Sequence, residues 1–151
     1  MDVNNMVGLC KIGAAMAISF GAFGSAMGIG AAGPAAVGAW KKLYAQGKAG
    51  PFIFVIFIGA PLSQTIYGML LMNFILRASV THSDQWLGML GAGFFGGLAI
   101  GLPAWYQGRI GAAAADAMGE TGKGLGNYIM ALGIIESVSI FVLIFIMAVL
   151  K

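Results

Sequence analysis

The stretch NYIMALGIIESVSIFVLIFIMAVL, residues 127–150, decides how this chain is read. It is long enough to cross a bilayer, which takes about 20 apolar residues. Its one acidic residue, Glu136, sits near its middle. A carboxylate at the centre of a membrane helix costs about 2.5–3.5 kcal/mol on insertion scales. A residue kept at that cost faces a partner, a cavity or an ion path.

The rest of the chain fits the same solvent. Of 151 residues, 60% are hydrophobic and 9% are charged, against ~25% charged in a soluble domain. That composition points to an integral membrane protein. The formal charge of +3 is too small and too scattered for a nucleic-acid footprint, so no nucleic-acid partner is expected. The single cysteine, Cys10, excludes an intrachain disulfide and a cysteine metal cluster. It reads as a small apolar residue near a helix start. The start Met1-Asp2 lacks a basic n-region, and the apolar run behind it is too long for a signal h-region. A retained transmembrane helix is expected there.

Four apolar segments follow from this reading: about residues 7–40, 51–76, 86–118 and 125–150. Polar breaks at 41–48, 77–85 and 119–124 separate them, and none is long enough for a soluble domain. Lys41, Lys42 and Lys48 lie in the first break, and Lys123 in the third with Arg109 upstream. The positive-inside rule therefore puts loops 41–50 and 119–124 in the cytoplasm and both termini on the opposite side. Trp40 and Trp86 stand at segment ends, where aromatic belts lie.

The segments repeat as a pair of hairpins, residues 1–80 and 81–151. Segments one and three are rich in small residues: Gly13, Ala17, Gly21, Gly24 and Gly28 in one, and Gly88, Ala92, Gly96, Gly101, Gly108 and Ala112 in the other. Segments two and four carry bulky runs, Phe52 to Phe57 and Phe141 to Ile146. Small residues let membrane helices approach closely, whereas bulky ones suit the lipid side. Spacing alone leaves two architectures open. One is a ring with small helices inside and large ones outside; the other is a compact monomeric four-helix bundle.

Few polar side chains lie at membrane depth. Ala60, Ser63, Gln64 and Tyr67 stand at i, i+3, i+4 and i+7, one helical stripe. Pro61 interrupts it and leaves the Phe57 carbonyl without its usual donor. Pro103, four residues before Gln107, is expected to free the Ala99 carbonyl likewise. Glu136 has Ser137 and Ser139 nearby. A carboxylate, two amides, a hydroxyl, a phenol and a loosened carbonyl form an oxygen set suited to a hard cation. One carboxylate offsets one charge, so Na⁺ or H⁺ fits better than a divalent ion. Plainer roles stand beside this. Ser63 and Thr65 can bond back to their own helix, and for Thr65 that is the expectation. Gln64 and Gln107 can be interhelical glue, Tyr67 can be packing, and Arg109 can snorkel near the cytoplasmic end. His82, alone in a polar loop, carries no signal.

These residues resemble a known family, the c/K proteolipids that form the rotor of V-type and A-type ATPases. The resemblance covers essentially the whole chain. Its carriers are the Gly/Ala-rich first and third helices, the run Pro61-Leu62-Ser63-Gln64-Thr65-Ile66-Tyr67-Gly68, the run Tyr106-Gln107-Gly108-Arg109, and the lone Glu136. It implies an all-α membrane protein that assembles into a homo-oligomeric ring in lipid, in a prokaryotic cell membrane. It also implies a stator a/I subunit with an essential arginine and a central-stalk subunit at the cytoplasmic loops. The proteolipid itself is non-catalytic, and ATP is hydrolysed or made elsewhere in the complex. On this pattern Glu136 carries the ion. Leu62 holds the corresponding place in the second helix when Tyr67 is set against Phe141, so there is one carboxylate per four helices. Sodium-binding members pair a hydroxyl and a Gln on the second helix with a Gln on the third, and hold the Glu with a Tyr. Here Ser63, Gln64, Gln107, Glu136 and Tyr67 match, with the backbone carbonyl of Ala60 as a further ligand. Serine stands at position 63 where threonine is familiar, and its χ1 is less restrained. The resemblance thus implies transported Na⁺, with H⁺ as the alternative and no cofactor. Two more distant readings are a dimeric multidrug transporter, which needs aromatic side chains around its carboxylate, and a structural pore protein. Glu136 has Ile134, Ile135, Ser137 and Val138 as neighbours, and Trp105 is the one mid-membrane tryptophan.

Overall fold

The computed structural model describes residues 1–150. Those residues form helices α1 (Val3–Ala45), α2 (Phe54–Gly59), α3 (Ser63–Thr81), α4 (Trp86–Thr121) and α5 (Leu125–Val149). A 3-10 turn over Ala60–Leu62 joins α2 to α3, and another over Ser83–Gln85 leads into α4. Four helical spans, Val3–Ala45, Phe54–Thr81, Ser83–Thr121 and Leu125–Val149, are long and apolar enough to cross a membrane. The protein is an all-α, multi-pass membrane protein.

The helices outrun the apolar segments. Lys41, Lys42, Arg77 and Glu120 lie in the polar breaks of the sequence, yet all are helical. Lysine and arginine are good helix formers, so a change of solvent at the membrane surface does not end a helix. Left-handed glycines mark the first and third polar breaks instead: Gly47 (φ 69), Gly122 (φ 65) and Gly124 (φ 92). At the N-terminus the Asp2 carboxylate accepts a hydrogen bond from the Asn5 N–H at 2.7 Å. At 1.5 Å per residue, the 43 residues of α1 span about 65 Å. That is roughly twice the ~30 Å hydrocarbon core. At the C-terminal ends of α1 and α4 an exposed ion pair joins Lys42 to Glu120 at 2.6 Å. Trp40 donates its indole N–H to the Pro51 carbonyl at 2.9 Å, closing the α1–α2 turn.

Close approach by small residues sets the topology. A Cβ on Gly13 would meet the backbone of Met89 and Leu90, and one on Gly24 the backbone of Gly101. Gly108 lies as tightly on Gly28, and Gly119 against Ala39. Residue numbers rise together, so α1 and α4 run parallel. In contrast, Gly21 abuts Gln64 and Ala17 abuts Gly68, so α1 and α3 run antiparallel. Gly96 meets Ile146 while Gln107 bonds Leu132, so α4 and α5 do the same. The result is two hairpins joined through their small helices. Gly28 and Gly108 meet at that seam.

The bulky helices flank it. Ile134, Phe141, Ile144, Phe145 and Val149 of α5 are exposed, and α5 is the least buried span although it is the most apolar. Such a face is stable only in lipid or against another protein. Two apolar clusters sit at opposite ends of the protein. One is built around Cys10, Leu71, Ile75 and Met89, the other around Leu43, Phe54, Phe57 and Leu132. The polar groups lie between them.

Candidate ion-binding site

The site begins with the break in the second membrane span. Pro61 has no N–H, so the α2 ladder cannot pass through it, and the chain tightens into the 3-10 turn at Ala60–Leu62. The Phe57 carbonyl, deprived of its usual donor, faces Gly111 of α4, where a Cβ would collide with it. Pro61 itself is buried, and Gly28 of α1 faces its ring. The Ala60 carbonyl is pulled out of α-helical register. It accepts from the Ser63 N–H and, at 3.0 Å, from the Ser63 hydroxyl.

From there hydrogen bonds run across three helices. Ser63 Oγ lies 3.2 Å from Gln64 Oε1, Gln64 Nε2 donates to Gln107 Oε1 at 3.1 Å, and Gln107 Nε2 donates to the Leu132 carbonyl at 3.0 Å. Both glutamines are fully buried. The chain of donors has one direction, so the Gln64 amide oxygen faces the Ser63 hydroxyl and the Gln107 amide oxygen faces the Gln64 amide nitrogen. On the other side, Tyr67 donates its phenol O–H to Glu136 Oε1 at 2.7 Å, from α3 to α5. A hydrogen bond to a charged acceptor contributes about 1.5–3 kcal/mol, comparable to what the carboxylate loses on leaving water. Among the described residues, no basic side chain lies within ion-pair distance of Glu136.

The structure thus links Ala60, Ser63, Gln64 and Gln107 in one hydrogen-bonded chain, and separately joins Tyr67 to Glu136 between α3 and α5. Leu62, where the first hairpin would carry a matching carboxylate, is an exposed apolar residue. Among the described residues no group of three His, Cys, Asp or Glu side chains could hold a metal ion. Trp105 packs on Tyr106 and lines a small cavity with Phe20, Phe23 and Met27 of α1. Arg109 is exposed and stacks over the Tyr106 ring, 5.8 Å from its centroid. Cys10 is buried in the α1 end cluster.

One expectation needs correcting. Thr65 does not bond back to its own helix; its hydroxyl donates to Ser25 Oγ of α1 at 2.9 Å. The cause is rotation: the i+1 neighbour of Gln64 faces α1, where Ser25 is buried. Near Pro103, the Ile100 carbonyl of α4 is taken up by α5. It accepts from Ser139 Oγ at 3.1 Å. The Leu132 carbonyl is an addition to the residues read from the chain. It stands one helical turn before Glu136, and a backbone atom has no signature in the residue type. An acceptor four residues upstream of the key carboxylate, on the face toward Gln107, is the signal that points to it.

Residues 90–149 match the family model of the ATP synthase c-subunit. The match takes in most of α4 and all of α5, and so Gln107 and Glu136. The second hairpin is thus similar to ATP synthase c-subunits. The first hairpin, with Ala60, Ser63, Gln64 and Tyr67, lies outside the matched residues. No curated protein sequence matches the chain.

Proposed function

We propose that the chain is a rotor-ring protomer of a V/A-type rotary ATPase or synthase and carries Na⁺ on Glu136. The observation that supports this reading is the hydrogen-bonded chain through Ala60, Ser63, Gln64 and Gln107, with Tyr67, one turn along α3 from Ser63 and Gln64, holding the Glu136 carboxylate. Na⁺ takes oxygen ligands, and one carboxylate neutralises its charge. Four neutral oxygens replace its hydration shell. Neither sulfur nor imidazole competes for it.

The chemistry of transport follows from two charge states. With the cation bound, Glu136 and its load are neutral together and can move past lipid. With the cation gone, the carboxylate is a bare charge that needs a cationic partner, which a stator arginine supplies. The Tyr67 hydrogen bond holds the carboxylate turned toward the oxygens and must break when Glu136 swings out. Each protomer has its whole ligand set in one chain, so each carries one ion. Repetition of this protomer around an axis makes a rotor, and the cytoplasmic loops meet a central stalk. A prokaryotic cell membrane is the setting this reading implies.

The test is covalent modification of Glu136 by a carboxyl-directed carbodiimide, which reacts with the accessible, protonated acid. At neutral pH, Na⁺ slows the reaction in a concentration-dependent way and K⁺ does so much less. A rate set by pH alone, with no response to Na⁺, replaces the sodium reading by the proton one.

A further inference from the structure

Helix α1 supplies none of the six site groups, yet it lies directly behind them. Ser25 is buried in α1, and its hydroxyl donates to the Gly21 carbonyl at 3.0 Å while accepting from Thr65 at 2.9 Å. Gly21 in turn faces the Gln64 carbonyl so closely that no Cβ would fit, and Gly28 faces the ring of Pro61. Three consecutive contacts thus hold the segment from Pro61 to Thr65 against one face of α1.

The broken helix makes this backing necessary. A continuous α-helix transmits rotation from turn to turn through its ladder. Here the ladder is interrupted at Ala60–Leu62, so the α2 half does not dictate where Ser63 and Gln64 point. They stand in the first turn of α3, whose leading N–H groups lack ordinary α-helical partners. Their direction must be set from outside. Thr65 follows Gln64 directly and is the one side chain of that turn hydrogen-bonded to α1.

We propose that Ser25 and Thr65 form a positioning pair that fixes the rotation of Ser63 and Gln64 at the ion site, and so tunes cation affinity from the face opposite Glu136. This rests on the reading of Glu136 as the ion carrier. Neither hydroxyl touches the ion. Loss of the Thr65–Ser25 bond lets the first turn of α3 rotate and spreads the oxygen set. The carboxylate and its Tyr67 partner, on the other side, stay in place.

The experiment uses the assembled protein in mild detergent and follows carbodiimide labelling of Glu136 in wild type, Thr65→Val, Thr65→Ser and Ser25→Ala. Two quantities are read from each: the Na⁺ concentration for half protection, and the pH of half-maximal labelling without Na⁺. Thermal stability of the particle is measured alongside. Thr65→Val and Ser25→Ala are expected to raise the half-protecting Na⁺ concentration several-fold, on the order of fivefold for one hydrogen bond. Thr65→Ser, which keeps the donor, is expected to restore the wild-type value. Lowered thermal stability with both labelling quantities unchanged would show the pair to be packing alone and overturn the proposal. If wild type ignores Na⁺, the sodium reading fails and the proposal is judged on the pH of half-labelling. A shift in Thr65→Val that Thr65→Ser reverses sustains it, and no shift overturns it.

Discussion

At the scale of single residues, the burden falls on Glu136 and the phenol that holds it. Glu136→Gln is expected to abolish carbodiimide labelling altogether and with it any effect of Na⁺, while leaving the fold intact. The amide is isosteric, and the site already contains two. Tyr67→Phe removes only the donor to Glu136. A hydrogen bond to a charged group contributes about 1.5–3 kcal/mol, so the half-protecting Na⁺ concentration should rise about tenfold or more, read by the same labelling. An unchanged value would mean that the Tyr67–Glu136 bond, 2.7 Å long, does not order the carboxylate. Most of this site could be read from the chain. Ser63, Gln64 and Tyr67 share a helical stripe, and Gln107 and Glu136 are conspicuous as polar groups at depth. The Leu132 carbonyl and the Ser25–Thr65 bond were not legible. The first is backbone, and the second depends on how two helices are rotated about their axes.

At the scale of elements, the small residues act at particular places rather than along whole helices. Gly13, Gly24, Gly28, Gly101 and Gly108 each face another helix's backbone, whereas Gly30, Gly33 and Gly133 have no neighbouring atom to strike within the chain. The spacing of small residues points to close packing but cannot name the pairs, because the parallel register of α1 against α4 is a tertiary fact. It places Gly28 against Gly108. Gly108→Val should therefore force α1 and α4 apart, since backbone cannot yield as a flexible side chain does. A marked drop in the temperature at which the particle loses its structure is expected. Gly133→Ala should be tolerated by the fold. Equal thermal stability of the two variants would contradict the seam between Gly28 and Gly108. The Pro61 break belongs to this scale too. Proline predicts a disturbed helix, and the structure makes of it a 3-10 turn whose Ala60 carbonyl accepts from Ser63 and whose Pro61 packs against Gly28 of α1.

At the scale of the whole molecule, the exposed apolar face of α5 and the long projecting ends of α1 and α4 describe a protomer made for company in a membrane. The helix ends were the least legible feature, because Lys41, Lys42 and Glu120 read as loop residues by charge alone. Assembly has a plain measure. With a chain of 15.5 kDa, a closed ring in mild detergent should migrate as a particle many times that mass. A ~30 kDa dimer would instead favour a small transporter. The central claim is narrower, that one chain holds one monovalent cation on Glu136 within the oxygens of Ala60, Ser63, Gln64 and Gln107. Equilibrium binding of radioactive sodium to the purified particle tests it most directly. Saturable binding of one Na⁺ per chain is expected, weakened by acid and lost in Glu136→Gln. No saturable binding at neutral pH, or binding that survives Glu136→Gln, would contradict it.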